Sequence, residues 1–322
     1  MTFDQILGHE RQKEILNRAL ASGRLAHAYL FAGPDGIGKR LMAMALARAI
    51  VCEEQRGCGN CLACRKIDHQ NHPDLHILEP DGKAIKIEQI RAFQRELNFK
   101  PLEAPRKICI IEQADTMTVG AANALLKTLE EPRGDTLLVL LSSQPNRLLE
   151  TIRSRCQPLP FNRHPNSRIQ AELEKQLGIA SEESHVLAAL SEGSFKKAFG
   201  KDRDLYLEQR RVLLKTLTGL SSGSILPTLD FADQLAADKT ILPDILEIFQ
   251  AFYRDVLMTL QGRGDEELVN LDLREKIHKV SAREDVSTIL AKLDALIEVR
   301  RQLDRNVNRQ LAMEVLLLKL AA

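Results

Sequence analysis

GPDGIGKR, residues 33–40, lies between an apolar run, AYLFA, and a helical pattern, LMAMALARAIV. A glycine-rich turn between a strand and a helix directs backbone N–H groups at an anion, and the motif G-x-x-x-x-G-K-[ST] binds phosphate in this way. The candidate nucleotide contacts are Gly33, Gly36, Gly38 and Lys39. Arg40 replaces the hydroxyl residue that holds magnesium in this motif, so the loop predicts a phosphate-binding fold with an altered metal site.

The chain around this loop alternates apolar strands with helices through its first half. Strands are predicted at 28–33, 74–80, 107–115, 136–143 and, in CQPLPF, 156–161. Segments between them carry apolar residues at helical spacing, as in Ile87, Ile90, Phe93 and Leu97. Continuous apolar strands separated by helices are typical of a parallel sheet covered on both faces, which predicts an α/β core. After Phe161 only helical patterns follow, which predicts an all-α remainder.

Composition argues against several classes of protein. The 322 residues include 45 lysines and arginines and 44 aspartates and glutamates, so the net charge of +1 does not indicate a nucleic-acid binder. Tryptophan is absent and only 4% of the residues are aromatic, which disfavours a base-stacking surface. The sequence shows neither a secretory signal nor a membrane-spanning stretch, so we expect a cytoplasmic protein without disulfides or membrane contact.

A second strand carries the acidic part of the expected nucleotide site. Residues 110–115 read IIEQAD, which places Glu112 where a carboxylate would hold magnesium. Gln113 takes the next position, where a carboxylate would activate water, and an amide cannot accept that proton. Arg40 and Gln113 therefore affect two different steps, and we interpret the pocket as one released from hydrolysis.

Four of the six cysteines are clustered in the spacing C-x5-C-x2-C-x2-C. Cys52, Cys58, Cys61 and Cys64 offer four soft thiolates, the ligand set of a closed structural zinc site, and we predict Zn²⁺ there. Iron–sulfur ligation and four reduced thiols are the alternatives, although the C-x3-C-P continuation of the bacterial iron–sulfur motif is missing. Cys109 lies inside a predicted buried strand and is interpreted as a core residue.

Four motifs together resemble one protein family. GPDGIGKR, IIEQAD, NALLKTLEEP (123–132) and the tripeptide Ser-Arg-Cys at 154–156 are similar to the δ′ subunits of the bacterial DNA polymerase III clamp loader, which are AAA+ proteins. The resemblance covers nearly the whole chain. It implies an AAA+ core at 1–162 with a zinc module at 52–64, a helical lid at 163–204, and a helical collar for oligomerisation at 205–322.

The resemblance also implies a role for Arg155. In the family, the arginine of Ser-Arg-Cys reaches the ATP site of the neighbouring subunit, whereas the δ′ subunit typically does not hydrolyse ATP. A guanidinium is planar and permanently charged, so it can stabilise the charge of a transferring phosphoryl group. The spacing alone leaves open an ordinary surface or helix-end arginine. Family positions that sense nucleotide correspond to Ser142 or Ser143 and to Lys196, for which a solvated lysine is the alternative.

The partners implied by the resemblance are the τ/γ and δ subunits, the sliding clamp and, through the complex, primer–template DNA. The degenerate loop leaves the binding of ATP or ADP open, and the chain is not expected to be an ATPase on its own, only a part of the polymerase holoenzyme. Two other functions stay open from the residues themselves. One is an autonomous AAA+ ATPase with weak activity, which Lys39 and Glu112 would permit; the other is a zinc-dependent DNA-binding protein.

Overall fold

A five-stranded sheet organises the N-terminal half of the chain in the computed structural model. The structure describes residues 2–131, 135–200, 203, 205–221, 223, 225–305 and 307–321. The strands are β1 (Ala28–Ala32), β2 (Leu75–Leu78), β3 (Lys107–Ile111), β4 (Thr136–Ser142) and β5 (Gln157–Pro160). They lie in the order β2-β3-β4-β1-β5, and every neighbouring pair is parallel. The predicted α/β core with a parallel sheet is therefore confirmed.

Helices connect the strands and then make up the rest of the described chain. Those of the first half are α1 (Glu10–Ala21), α2 (Lys39–Val51), α3 (Leu62–Asp68), α4 (Ile87–Leu97), α5 (Val119–Glu130) and α6 (Glu150–Arg153). Those after β5 are α7 (Asn166–Leu177), α8 (Ser181–Leu190), α9 (Phe195–Ala198), α10 (Arg210–Leu217), α11 (Ile225–Ala236), α12 (Leu242–Leu260), α13 (Arg274–Ser281), α14 (Val286–Asp304) and α15 (Arg309–Ala321). A π-helical turn, Leu205–Gln209, leads directly into α10. No strand occurs after β5 in the described part of the chain, as predicted for the all-α remainder.

Strands β1 to β4 contribute to two apolar layers, one on each face of the sheet. Tyr29 and Phe31 of β1 pack in the layer that contains Leu46 of α2, whereas Leu30 packs in the layer that contains Phe93 of α4. Successive side chains of a strand point to opposite faces, so a sheet covered on both sides needs apolar residues at nearly every position. All residues of β3 and β4 are buried, which explains why their sequences read as unbroken apolar runs.

The chain divides into two compact units. One comprises Met1–His164 with Ser194–Lys196, and the other comprises Pro165–Gly193 with Lys197–Ala322. The division into core, lid and collar stays a prediction, and its boundary at residue 204 lies outside the described residues, as does Pro132 at the end of the NALLKTLEEP motif. None of the helices in the described part of the chain combines the length and apolar character that a bilayer crossing requires.

The second unit leaves one apolar face of its last helix exposed. The buried face of α15 consists of Ala312, Met313, Leu316, Leu317 and Leu320. Leu311, Val315 and Leu318 of the same helix are 56%, 45% and 44% exposed. The helix is therefore apolar on more than one face, and among the described residues only the face with Met313 and Leu316 is buried.

Buried polar groups at the start of β2 hold the loop that precedes β3. The Asp74 carboxylate is fully buried and accepts hydrogen bonds from the backbone N–H groups of Leu102, Glu103 and Ala104 at 2.7, 2.8 and 2.7 Å. Burial favours the protonated form of Asp74, but these N–H groups outweigh it and lower the pKa of the carboxyl. Nδ1 of the buried His72 accepts a hydrogen bond from the backbone N–H of Asp74.

We expect the free energy of unfolding to decrease as the pH falls below about 6.5, the ordinary pKa of histidine. Burial lowers the pKa of His72 and of His76, so below pH 6.5 the unfolded chain binds more protons than the folded chain. Thermal unfolding followed by circular dichroism between pH 8 and pH 5 should show this loss. The His72→Gln variant should lose less stability over that range, since glutamine does not titrate.

The exposed His69 provides the matched control for this pH dependence. His69→Gln should retain the pH dependence of the unaltered protein, and any contribution from metal release at low pH is common to both variants. Equal pH slopes for His72→Gln and His69→Gln would contradict the assignment to His72.

Candidate functional site

The carboxyl ends of the parallel strands bring the predicted nucleotide-site residues to one edge of the sheet. Gly33 directly follows β1, Glu79 follows β2, Glu112 follows β3 and Ser143 follows β4. Ligands of open α/β sheets bind outside this edge, because the turns from strand to helix meet there. The structure therefore places the glycine loop beside the acidic strand end, as the two motifs require.

Lys39 of the phosphate loop is bonded to the loop itself. Its side chain is buried, and Nζ donates to the main-chain oxygens of Gly33 at 2.5 Å and Pro34 at 2.6 Å. Burial lowers the pKa of Lys39, and the neighbouring Asp35 carboxylate opposes this change. Two carbonyl oxygens thus satisfy the ammonium group that would contact phosphate in a nucleotide-binding loop.

The segment around Lys196 packs against the phosphate loop. Gly36 has a left-handed backbone (φ 73°), and a Cβ at this position would lie 2.2 Å from Oγ of Ser194, so only glycine fits here. The carbonyl of Gly36 accepts a hydrogen bond from the backbone N–H of Lys196 at 3.2 Å. Lys196, the predicted basic residue of the nucleotide-sensing pair, is exposed. Burial raises the pKa of Glu112, and the charge of Lys196 is one of those that oppose this rise.

Arg40 bridges the two acidic strand ends. Its Nε lies 3.0 Å from Oε1 of Glu112, and its Nη2 lies 3.4 Å from Oε1 of Glu79. Burial raises the pKa of Glu112, and the Arg40 charge counteracts this. A guanidinium cation is therefore paired with the carboxylate that the sequence assigns to magnesium. Gln113, at the predicted position of the catalytic base, is exposed and adopts a left-handed backbone (φ 46°).

Glu79 and Asp115 are site residues that the sequence analysis did not single out. Both oxygens of Asp115 accept hydrogen bonds from Ser143, at 3.0 Å from its N–H and at 3.3 Å from its hydroxyl. Ser142, the other predicted sensor, is fully buried in β4. The signal for Asp115 was its place at the end of IIEQAD, and that for Glu79 was its place at the end of a predicted strand.

Arg155 lies just after α6, with 36% of its side chain exposed. Nη1 donates to the main-chain oxygen of Thr151 at 3.0 Å, and Nη2 lies 2.8 Å from Oε1 of Glu130 at the end of α5. The next residue, Cys156, is buried. Arg153, two residues before Arg155, is exposed. The structure thus presents the guanidinium of Arg155 at the surface, next to a carboxylate.

The four clustered cysteines converge. All Sγ atoms of Cys52, Cys58, Cys61 and Cys64 lie within 4.8 Å of one another, the only such ligand cluster among the residues that the structure describes. A tetrahedral zinc ion with Zn–S bonds of about 2.3 Å holds its sulfurs about 3.8 Å apart, so the cluster is of the right size. Four sulfurs at these distances can bind one metal ion. Cys109 is fully buried in β3, which confirms that it is a core residue.

Local backbone groups favour the thiolate form in part of the cluster. Burial raises the pKa of Cys52, but hydrogen bonds from the N–H groups of Cys58, Glu54 and Arg56 together have the larger, opposite effect. The resulting pKa of Cys52 is about 6. The N–H of Cys64 lowers the pKa of Cys61, which is the N-cap of α3. Burial raises the pKa of Cys64. A cation held among the sulfurs favours the thiolate form of all four, because metal binding displaces thiol protons.

Arg48 connects the cysteine loop to the core. Its buried guanidinium pairs with Asp68 at the end of α3, and its stem packs against Gly57, where a Cβ would lie 3.3 Å from Cδ of Arg48. Gly57 also has a left-handed backbone (φ 71°), a conformation that favours glycine, and a Cβ there would need the Arg48 stem to shift by a few tenths of an ångström. The cluster is therefore fixed to α2, the helix that begins at the phosphate loop.

Comparison with known proteins gives the same family over both halves of the chain. The family profile described as "DNA polymerase III, delta subunit" matches residues 8–165, and the one described as "DNA polymerase III, delta subunit, C terminal" matches residues 205–322. DNA polymerase III subunit delta′ of Bacillus subtilis is 36% identical over 315 residues, which cover 96% of this chain and 95% of that protein. Subunit delta′ of Pseudomonas aeruginosa is 34% identical and covers 92% of each chain. Subunit tau of Bacillus subtilis is 32% identical over 61% of this chain and 36% of its own length.

Proposed function

The chain belongs to the δ′ subunit family of DNA polymerase III, and from this we propose that it is a clamp-loader subunit that does not hydrolyse ATP itself. In this proposal, Arg155 stabilises the transition state of ATP hydrolysis in the site of a neighbouring subunit. The observation that carries the proposal is the pairing of Arg40 with Glu112, because a side-chain cation then neutralises the carboxylate that we assign to magnesium, while Arg155 remains at the surface.

The contacts within the chain's own phosphate loop support an inactive site. Magnesium in such a site neutralises charge on the β- and γ-phosphates and orients them for transfer. Arg40 can supply positive charge, but a guanidinium has no coordination positions for phosphate oxygens and water. Gln113 offers no base, and the ammonium of Lys39 is bonded to the carbonyls of Gly33 and Pro34. ATP or ADP could bind only by replacing these contacts.

The surroundings of Arg155 support a role in trans. A guanidinium can form a two-pronged contact with phosphate, and its charge does not depend on pH in the physiological range. Buried residues lie on both sides of Arg155 in the sequence, Ile152 three residues before it and Cys156 directly after it, so core packing holds the turn that carries it. A charged group on a rigid element at the surface is well suited to complete a site on another subunit.

The partners that we propose are the τ/γ and δ subunits, with the sliding clamp and primer–template DNA contacted in the assembled complex. Similarity to a tau subunit supports assembly from related chains. The exposed face of α15, formed by Leu311, Val315 and Leu318, supports packing of the C-terminal helices on another subunit. Apolar surface of this kind gains stability when it is covered.

We also propose that Cys52, Cys58, Cys61 and Cys64 hold a structural zinc ion. Four thiolates complete the tetrahedral shell, which leaves no open position for substrate or catalytic water. The distances among the sulfurs support this ion. Its function would be to fold the segment between α2 and α3, a segment otherwise short of apolar residues.

Assay of ATP hydrolysis tests the proposed lack of activity. The purified chain should show no magnesium-dependent turnover, and Lys39→Ala should not differ from it, because the site lacks both a metal ligand and a base. When the chain is mixed with intact τ/γ and δ subunits, ATP turnover should appear. Turnover by the chain alone that disappears in Lys39→Ala would instead establish an autonomous ATPase.

A further inference from the structure

We propose that Glu130 is a positioning residue for Arg155: its carboxylate fixes the orientation in which the guanidinium meets the neighbouring subunit's nucleotide. This inference rests on the proposed function of Arg155. It starts from the 2.8 Å contact between Nη2 of Arg155, in the turn after α6, and Oε1 of Glu130, at the end of α5.

The two residues are attached to a rigid platform. Leu129, which precedes Glu130, is 2% exposed, and Ile152 and Cys156, on either side of Arg155, are 0% and 5% exposed. All three side chains pack in the same apolar layer of the sheet. Because close-packed interiors resist displacement, the end of α5 and the turn after α6 keep a constant separation. The ion pair therefore has a defined geometry, although both of its side chains are at the surface.

The contacts of Arg155 leave part of its hydrogen-bonding capacity unused. Nη1 donates to the oxygen of Thr151 at 3.0 Å and approaches Oγ of Ser154 at 3.5 Å, while one N–H of Nη2 serves Glu130. A guanidinium has five N–H groups, so the other N–H of Nη2 and that of Nε are not needed for these contacts. Adjacent nitrogens of this kind can form a forked contact with a phosphate oxygen pair. Glu130 and Thr151 thus orient the Arg155 guanidinium through some of its N–H groups and leave the N–H of Nε and the second N–H of Nη2 for a phosphate ligand.

The contribution of this ion pair to stability is expected to be small. Its side chains are 36% and 48% exposed, and ion pairs in water contribute little because solvent screens them and side-chain entropy opposes them. The effect on function can be larger, because a transition state is stabilised by charges that are already in place when the reaction begins. Loss of Glu130 would leave Arg155 charged but mobile, and part of the rate acceleration would be lost.

The test uses the reconstituted clamp loader with one substitution in this chain. Glu130→Gln removes the charge with little change of shape, and we expect the hydrolysis rate of the adjacent site to fall on the order of 10- to 100-fold, with an unchanged KM for ATP. Glu130→Asp should restore part of the rate, because a carboxylate is again available. The matched control is Glu131→Gln, which makes the same change at the next, exposed residue and should leave the rate unaltered.

Two further measurements distinguish a failure of the positioning role of Glu130 from unfolding of the variant and from a failure of the proposed function of Arg155. Glu130→Gln in the isolated chain should melt within about 2 °C of the unaltered protein, so that a lower rate cannot be attributed to unfolding. If Arg155→Ala abolishes the stimulation while Glu130→Gln hydrolyses ATP at the full rate or faster, the positioning role is overturned and the proposed function survives. If Arg155→Ala itself has no effect, the proposed function fails and the inference fails with it.

Discussion

Replacement of Arg155 by alanine should lower the rate of ATP hydrolysis in the adjacent site of the assembled complex by about 10³-fold, the lower end of the effect of arginine fingers. The reason is electrostatic: the transferring phosphoryl group spreads negative charge over its oxygens, and a cation placed in a site with little water stabilises that charge strongly. Binding of ATP should change much less than hydrolysis, since the contact is made mainly in the transition state.

The measurement requires that only one site turns over. Single-turnover hydrolysis can be followed in complexes whose other ATPase subunits carry an alanine at the lysine of the phosphate loop. Arg153→Ala is the matched control, because Arg153 is exposed two residues away and should have no effect on the rate. The hydrolysis rate of Arg155→Lys should lie between the rates of Arg155→Ala and Arg153→Ala, because an ammonium group keeps the positive charge but cannot form the two-pronged contact of a guanidinium. A full hydrolysis rate in Arg155→Ala would refute the role in trans.

Most strands of the core could be predicted, because the burial of a strand determines the residues of that strand itself. A strand buried on both faces must be apolar at nearly every position, so the runs that form β3 and β4 identify themselves. The glycine loop could be recognised from the sequence as well, because its backbone conformation restricts which residues fit there. The order of the strands, β2-β3-β4-β1-β5, was not predicted, because the apolar pattern does not indicate which strands are neighbours.

The pairings across the site could not be predicted in this way. Arg40 and Glu79, or Glu130 and Arg155, are far apart in sequence, and only the packing of helices and turns around the sheet brings them together. No periodicity indicates that a particular carboxylate will lie within 4 Å of a particular arginine. The sequence therefore predicted that Arg40 removes a magnesium ligand, but it did not predict that the Arg40 guanidinium pairs with Glu112.

Two helical features were beyond the reach of pattern analysis for different reasons. The cysteine spacing predicted a zinc site and no helix, yet α3 begins directly after Cys61, which caps it with its sulfur. This helix has only seven residues, too few for a clear apolar period. In α15 apolar residues lie on more than one face of the helix, so the spacing of apolar residues could not identify which face is buried.

Replacement of Cys61 by serine should abolish stoichiometric zinc binding and reduce the free energy of unfolding by roughly 4 kcal/mol, in the range for loss of a structural metal. Serine is nearly the same size, but its hydroxyl is a poor zinc ligand at neutral pH. Elemental analysis of the purified protein should give about one zinc per chain before the change and none after it. Iron with visible absorbance, or no metal in the unaltered protein, would refute the assignment.

Cys109→Ala distinguishes loss of the ion from general destabilisation. Cys109 is fully buried in β3 and is not part of the cluster, so its removal should cost about 1 kcal/mol and leave the zinc content unchanged. Loss of the ion should have a more specific effect, because Arg48 of α2 packs against Gly57 in the cysteine loop and pairs with Asp68 of α3. Without the ion, hydrogen exchange should accelerate in α3 and in the last turn of α2, while β3 and β4 should remain protected until the whole sheet unfolds.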